Sequence, residues 1–425
     1  DIFSKYKKGD IIKTKIIGFN DEKRKAAKDG IVDLVNTLPL TLVNISKIKE
    51  VKIIDRINSE ETEYKKEEIY NDGVIRKTHI KLSKAETRSF ITYYTEELSL
   101  SVEVNNFEEL CLIEHFGKTP NLYRDFPLIG SDKFYFPYIL NGYKLHPTED
   151  RDGIPIHSES APDHIENRQL IEKAFVAAKI FTDYLVSQNA KNLFVCAFSR
   201  MPSEKWQEAS KEWYKNLQID YRAFIKSKSI VELETASTDN VTLNTAFVPV
   251  FGDTDQDKLA FYDILKPFIG SNNVPKRDLL LKWLQATGPK EELENWDRNL
   301  RYTLNDLLSQ LQEIGKLEAL KNKLESNVDA LNWLNNLYQF IIYYKATDAL
   351  ADFAIIPNQN GDFQKLTKDT LHLEDIIENI PDEFLDILSA LGDNWRVKLI
   401  HRDVNLPGLN IETKGLPLVS NRINE

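Results

Sequence analysis

Between residues 50 and 140 the apolar positions come in short runs separated by polar or turn residues, the pattern that half-buried and buried strands produce. Residues 51–55, 74–82, 98–104, 110–113, 126–129 and 134–140 read as strands, and residues 11–19 read as another before them. One stretch here, residues 31–45, has helical rather than alternating spacing and predicts a helix despite Pro39.

The pattern changes after Pro162. Asp163 followed three residues later by Glu166 has the form of a capping box, and Ile171, Ala174, Phe175, Ala178, Phe181 and Leu185 then keep helical spacing. Residues 204–228, with Trp206, Trp213 and Tyr221, continue in the same manner. Residues 241–251 read as a strand, and the polar stretch 235–240 reads as a mobile connection. From Asp255 onward helical periods dominate. Leu293, Trp296, Leu300, Leu304, Leu307, Leu311 and Ile314 predict one long amphipathic helix packed within the chain, with a dimerising coiled coil as the alternative. Further helices over 325–344 and 373–391 flank a hairpin whose turn is Asn360-Gly361. The expected class is α+β: a mixed α/β layer over residues 1–160, a mixed region over 161–254, and a mainly helical part over 255–425 with a small hairpin near 355–366.

The segment from Arg124 to Ile156 concentrates the chemistry. Its apolar runs 126–129 and 134–140 are closed by Asn141-Gly142, by Pro147 and by the tetrad Glu149-Asp150-Arg151-Asp152. A polar loop there carries Arg151 at the edge of a sheet, where a guanidinium can meet a phosphate or carboxylate in bidentate fashion. The structural alternative for Arg151 is a salt bridge to Glu149, Asp150 or Asp152.

Phe126-Pro127-Leu128, then Pro137 to Gly142, then Asp150-Arg151-Asp152 resemble, in that order, elements in the repeat regions of bacterial sacsin-like proteins. Those proteins have an ATPase domain of the Bergerat type, shared with the ninety-kilodalton heat-shock chaperones. Residues 30–55 and 355–363 resemble the helix and strand after the nucleotide-binding core and a hairpin near the end of the repeat. The resemblance implies that this chain is a fragment, the transducer-like and helical region that follows the nucleotide core. It further implies an ATPase parent that uses ATP and Mg, a chaperone-like or defence-related machine, and as partners the preceding ATP-binding domain of the same polypeptide together with a protein client or nucleic acid. In such ATPases the transducer sends a Lys or Arg toward the γ-phosphate. Arg151 matches that cation by position, and Lys133, in the turn from Gly130 to Lys133, is the alternative.

Absences set the limits of that resemblance. The sixteen glycines are scattered, the closest pair being Gly408 and Gly415, whereas phosphate loops need glycines two to five positions apart. Walker, dinucleotide and kinase loops are excluded, and the Asp-x-Gly-x-Gly of a Bergerat site is absent, so no cofactor-binding residue is assigned and ATP is expected to bind in another domain. The start at Asp1 and the single methionine, Met201, suit a fragment. No metal is assigned: His157, Glu159, Asp163 and His164 lie close together, but a polar loop entering a helix explains them. Cys111 and Cys196 sit in apolar runs as reduced core residues, His115 lies too far along a strand from Cys111 to activate it, and no Gly-x-Ser-x-Gly elbow occurs. The chain by itself is therefore expected to have no catalysis.

Composition changes the picture in two places. With 425 residues, 42% of them hydrophobic, the chain is long enough for two or three domains, and no apolar run approaches the roughly 20 residues of a membrane span, so a cytoplasmic protein without membrane contact is expected. A net charge of −11 argues against wholesale nucleic-acid affinity. The local clusters Lys5, Lys7, Lys8 and Lys23, Arg24, Lys25, Lys28 read as solvated loops, or else as contacts to nucleic acid or an acidic partner in a stand-alone binding module.

Overall fold

Strand Leu98–Val104 is buried at nearly every position on both faces, the signature of a central strand covered from two sides. The sheet around it belongs to a computed structural model whose described residues are 20–55, 59–83, 86–117, 119–201, 206–235, 240–246, 248–288, 296, 300–375 and 377–424. The chain forms two compact units, Asp1–Tyr184 and Leu185–Glu425. The expected strand over 11–19, the cluster Lys5 to Lys8 and most of the connection over 235–240 lie outside the described residues.

The first unit opens with helix α1 (Asp21–Asn44), ten residues longer at its start than the apolar period indicates and carrying Pro39 inside it. Strands follow as β1 (Glu50–Asp55), β2 (Glu60–Asn71), β3 (Ile75–Leu82), β4 (Thr87–Tyr94), β5 (Leu98–Val104), β6 (Leu112–Ile113), β7 (Leu122–Arg124), β8 (Phe126–Pro127) and β9 (Ile139–Gly142). They build one nine-stranded sheet in the order β1-β2-β3-β4-β5-β9-β7-β8, with β6 beside β5. All pairs are antiparallel except β7 with β9, so the sheet is mixed.

Alternation along the strands assigns its two faces. Phe90 and Ile139 point to one side, where Leu38, Leu40, Leu42 and Val43 of α1 pack with Tyr64, Ile80 and Tyr123. Tyr93 and Tyr138 point to the other, where they meet Phe181 of helix α2 (Pro162–Ser187), and Tyr138 shares a 2.7 Å hydrogen bond with Thr182. The result is a layered α+β unit with one helix on each face.

Four expectations need correction in this unit. Asn141-Gly142 is the end of β9 rather than a turn, and residues 134–138 lead into the strand instead of forming it, with a 3-10 turn at Ser131–Lys133 before them. Gly142 is required by packing: a Cβ there would lie 2.6 Å from both Leu145 and Leu170. Helix α2 begins with Pro162 in the first turn, so Asp163 does not act as its cap, and Glu166 reaches the ring of His146 at 2.6 Å. The Lys23–Lys28 cluster lies on α1, not in a loop between strands.

The second unit is mainly helical: α3 (Glu208–Lys226), α4 (Asp255–Ile269), α5 (Leu280–Thr287), α6 (Leu304–Ile314), α7 (Leu317–Lys323), α8 (Ala330–Tyr343), α9 (Asp348–Asp352), α10 (Asp382–Ala390) and α11 (Leu416–Asn424). Short strand pairs link them, including the antiparallel hairpin Ile356–Pro357 with Phe363–Gln364 around Asn360-Gly361. The long helix expected through Ile314 is interrupted. Arg301–Tyr302 pairs in parallel with Val248–Pro249, and Thr303 with Asp306 forms a capping box that starts α6 afresh. Residues 373–391 are likewise not one helix, because Leu373–Glu374 is a strand and Pro381 fixes the start of α10. The strand over 241–251 is reduced to Val241–Thr242 and Val248–Pro249. Among the described residues no helix is long and apolar enough to cross a membrane.

Two measurements test this account of the first unit. Gly142→Ala forces a methyl against Leu145 and Leu170, and overpacking of this kind typically costs about 1–3 kcal/mol, to be read from the denaturant midpoint. Lys66 of β2 donates to the carbonyls of Leu42 at 2.7 Å and Ile45 at 2.5 Å, closing the C-terminal end of α1. Burial, helped by the charge of Arg76, pulls its ammonium down to about 8. The unfolded chain then binds more protons than the folded one between pH 8 and the ordinary lysine value, so the contribution of Lys66 to stability rises with pH through that window. The stability difference between wild type and Lys66→Gln should grow by on the order of 1 kcal/mol from pH 7 to pH 10, after allowance for partial solvent exposure; a constant difference would contradict the account.

Candidate functional site

The loop that carries Arg151 is assembled by backbone and small polar side chains. Thr148 donates its hydroxyl to Asp152 and accepts from the Asp152 N–H, while its carbonyl takes the Arg151 N–H at 3.0 Å. This tight closure puts Arg151 in the left-handed region at φ 55°, an uncommon conformation for a residue with a Cβ. The loop rests on the neighbouring turn at Gly130, whose φ of 104° only glycine adopts readily and where a Cβ would stand 3.0 Å from the Asp152 carbonyl.

Below it lies the β7–β8 edge of the sheet. Asp125, between these strands, is also left-handed at φ 60°, and its N–H is held at 2.8 Å by the side-chain oxygen of the fully buried Asn141. The Asn-Gly pair thus performs two structural tasks: Asn141 fixes the β7–β8 turn, and Gly142 admits Leu170 of α2. Buried Asn121 donates to the Phe134 carbonyl at 2.7 Å, and Ser131 accepts from Leu122 N–H and donates to Leu128. The turn leading to Lys133 is fixed to β7 in this way.

The guanidinium of Arg151 makes one long hydrogen bond, 3.5 Å to the Arg124 carbonyl, and is half-exposed. Among the described residues it has no ion pair, so the salt bridge to Glu149, Asp150 or Asp152 weighed above does not form. One carboxylate oxygen of Asp152 is instead engaged by the Thr148 hydroxyl. Elsewhere on the same sheet arginine is fully engaged, as in Arg88, whose two nitrogens meet Glu103 at 2.7 and 2.6 Å. The structure therefore brings Arg151 and the backbone of the 131–133 turn to one edge of the sheet; the side chain of Lys133 lies outside the described residues.

The remaining candidates separate. His164 accepts the Ser158 N–H at 2.8 Å as part of the entry into α2, and burial lowers the pKa of His157, with the charge of His164 adding to it. Among the described residues no group of three or more His, Cys, Asp or Glu is placed to hold a metal. Cys196 is buried in the second unit, and Cys111 is partly buried beside β6. Sequence reasoning passed over Asn121, Ser131 and Asn141 as shapers of the site. Their signal was weak: short polar side chains beside apolar runs, the usual setting of a turn.

No family model, no curated protein and no solved structure matches the chain.

If the loop holds Arg151 through its backbone, truncating the side chain should cost little. Arg151→Ala is expected to change stability by less than about 0.5 kcal/mol, and Arg151→Gly to raise it by up to about 1 kcal/mol by relieving the positive φ. Thermal unfolding of the two variants checks both, and a loss above about 1 kcal/mol in Arg151→Ala would show that the guanidinium pins the turn.

Proposed function

We propose that this chain is the non-catalytic transducer and helical region of a sacsin-like, Bergerat-type ATPase. In this reading it couples the ATP state of a preceding domain of the same polypeptide to conformation, within a cytoplasmic bacterial machine of chaperone-like or defence-related kind. The observation that carries the reading is the state of Arg151: a half-exposed guanidinium without an ion pair among the described residues, mounted on a left-handed turn at a sheet edge. A cation meant for a phosphate outside its own domain needs this arrangement, since a neighbouring carboxylate would compete for it. Lys133, one turn away, is the alternative.

The other reading, a stand-alone module binding nucleic acid or protein, loses support at α1. Residues 21–33 hold four basic side chains, Lys23, Arg24, Lys25 and Lys28, against four acidic ones, Asp21, Glu22, Asp29 and Asp33, so the segment carries no net charge. Counterion release from phosphates requires an excess of cations.

The decisive experiment compares the full reading frame with this chain alone. The isolated chain should show neither Mg-dependent ATP binding nor hydrolysis. In the full-length parent, Arg151→Ala should leave ATP affinity nearly intact and lower turnover on the order of a hundredfold, because a group acting on transition-state charge affects rate more than ground-state binding. Normal turnover in that variant would remove the role from Arg151, and tight Mg-dependent ATP binding by the isolated chain would overturn the whole reading.

A further inference from the structure

The second unit holds a cleft of about 660 Å³ near its C-terminal end, within the range of small-molecule sites. Its wall includes Leu399, part of the small core of Ile380, Leu385, Leu388 and Val419, and Trp395, which packs against that core. Four cations from four separate segments line it: Lys368, Lys398, Lys414 on strand Thr413–Lys414, and Arg422 on α11.

Three carboxylates also face the cleft, and their partners decide its sign. Asp393 accepts the indole N–H of Trp395 at 3.0 Å and stands 3.6 Å from Lys398 and 3.4 Å from Arg422. The Trp395 hydrogen bond is the first cause holding the Asp393 carboxyl below the usual range. Glu412 is bound by Lys414 at 2.5 Å and lies 3.4 Å from Nδ1 of His372. Both are thus charged and already neutralised, while Lys368 has no ion pair among the described residues. Asp369 follows Lys368 directly, leaving four cations against three carboxylates in the cleft of a chain whose overall charge is −11.

One buried group points the same way. His372 is 9% exposed, and its Nδ1 makes no hydrogen bond among the described residues, the Glu412 carboxylate standing 3.4 Å away without forming one. A buried ring nitrogen left without a bond costs free energy that a polar ligand entering beside it can recover. Trp395, Leu399 and Leu418 complete the wall with apolar surface, which a bare inorganic ion does not use.

We propose that this cleft binds a small phosphomonoester, its phosphate held by Lys368, Lys398 and Lys414 and its organic part lying against Trp395 and Leu418. Phosphate is favoured over a single carboxylate because lysines from separate segments line one cleft as point charges, which suits a dianion with several acceptor oxygens. The site lies within the second unit and is independent of the ATPase reading.

Calorimetric titration of the 425-residue chain with ribose 5-phosphate, inorganic phosphate and ribose tests it. Ribose 5-phosphate should bind with Kd below about 1 mM, tighter than inorganic phosphate, and ribose should not bind. The double variant Lys368→Gln/Lys398→Gln alters two exposed side chains and should keep the wild-type melting temperature while weakening the ester at least about tenfold. Trp395→Phe should bring the ester and free phosphate closer in affinity. Equal affinity for phosphate and its ester in wild type, binding unchanged in the double variant, or no heat from the ester at several millimolar would each overturn the assignment.

Discussion

The first unit depends on how backbone polar groups are satisfied where regular structure runs out. Between β7 and α2 the chain is buried for long stretches yet mostly irregular, and a buried N–H or C=O without a partner costs as much as a lost hydrogen bond. Three asparagines with no solvent exposure meet this demand. Asn121 donates to Phe134, Asn141 accepts from Asp125, and Asn167 of α2 accepts from His146 N–H while donating to the carbonyls of His146 and Pro155. An amide side chain carries both donor and acceptor, so one residue can stand in for a missing strand. Because Asn141 fixes Asp125 and Asn167 fixes the chain on either side of residues 148–153, the turn bearing Arg151 is held at both ends.

Legibility in the sequence followed burial only in part: Thr87–Tyr94 (β4), with four consecutive buried residues, was not read as a strand. Strand β5, apolar and covered on both faces, was placed at its true bounds, and β1 and β3 of the same sheet to within a residue. Strand β2 was missed because Glu60–Asn71 reads as a charged run. Its stability comes instead from cross-strand partners on β3, such as Lys81 with Glu67 and Arg76 with Glu68, a signal that belongs to pairs and not to single residues. The break before α6 was missed for the opposite reason. The period of three and four from Leu293 to Ile314 was regular enough to hide Thr303 and Asp306, although that spacing is itself a start signal.

For the site, the sequence located the loop and not its state. An arginine among carboxylates suggests a salt bridge, and the structure shows none at Arg151 among the described residues. The positive φ at Arg151 leaves no trace in residue identity, whereas Asp125 is of a type enriched in that region. The C-terminal cleft was illegible for a different reason: its cations are spread from Lys368 to Arg422, and no local spacing unites them.

Two places on an acidic chain thus present positive charge, and they do so by opposite means. Arg151 has no carboxylate partner among the described residues, so no ion pair has to be broken when an anion approaches. In the cleft Lys398 and Lys414 are held in place by Asp393 and Glu412, and an incoming dianion must compete with those carboxylates for them. The first arrangement favours rapid, reversible engagement with a group delivered from outside. The second preorganises several cations at the expense of affinity, since part of the gain from each new contact offsets the loss of an old one.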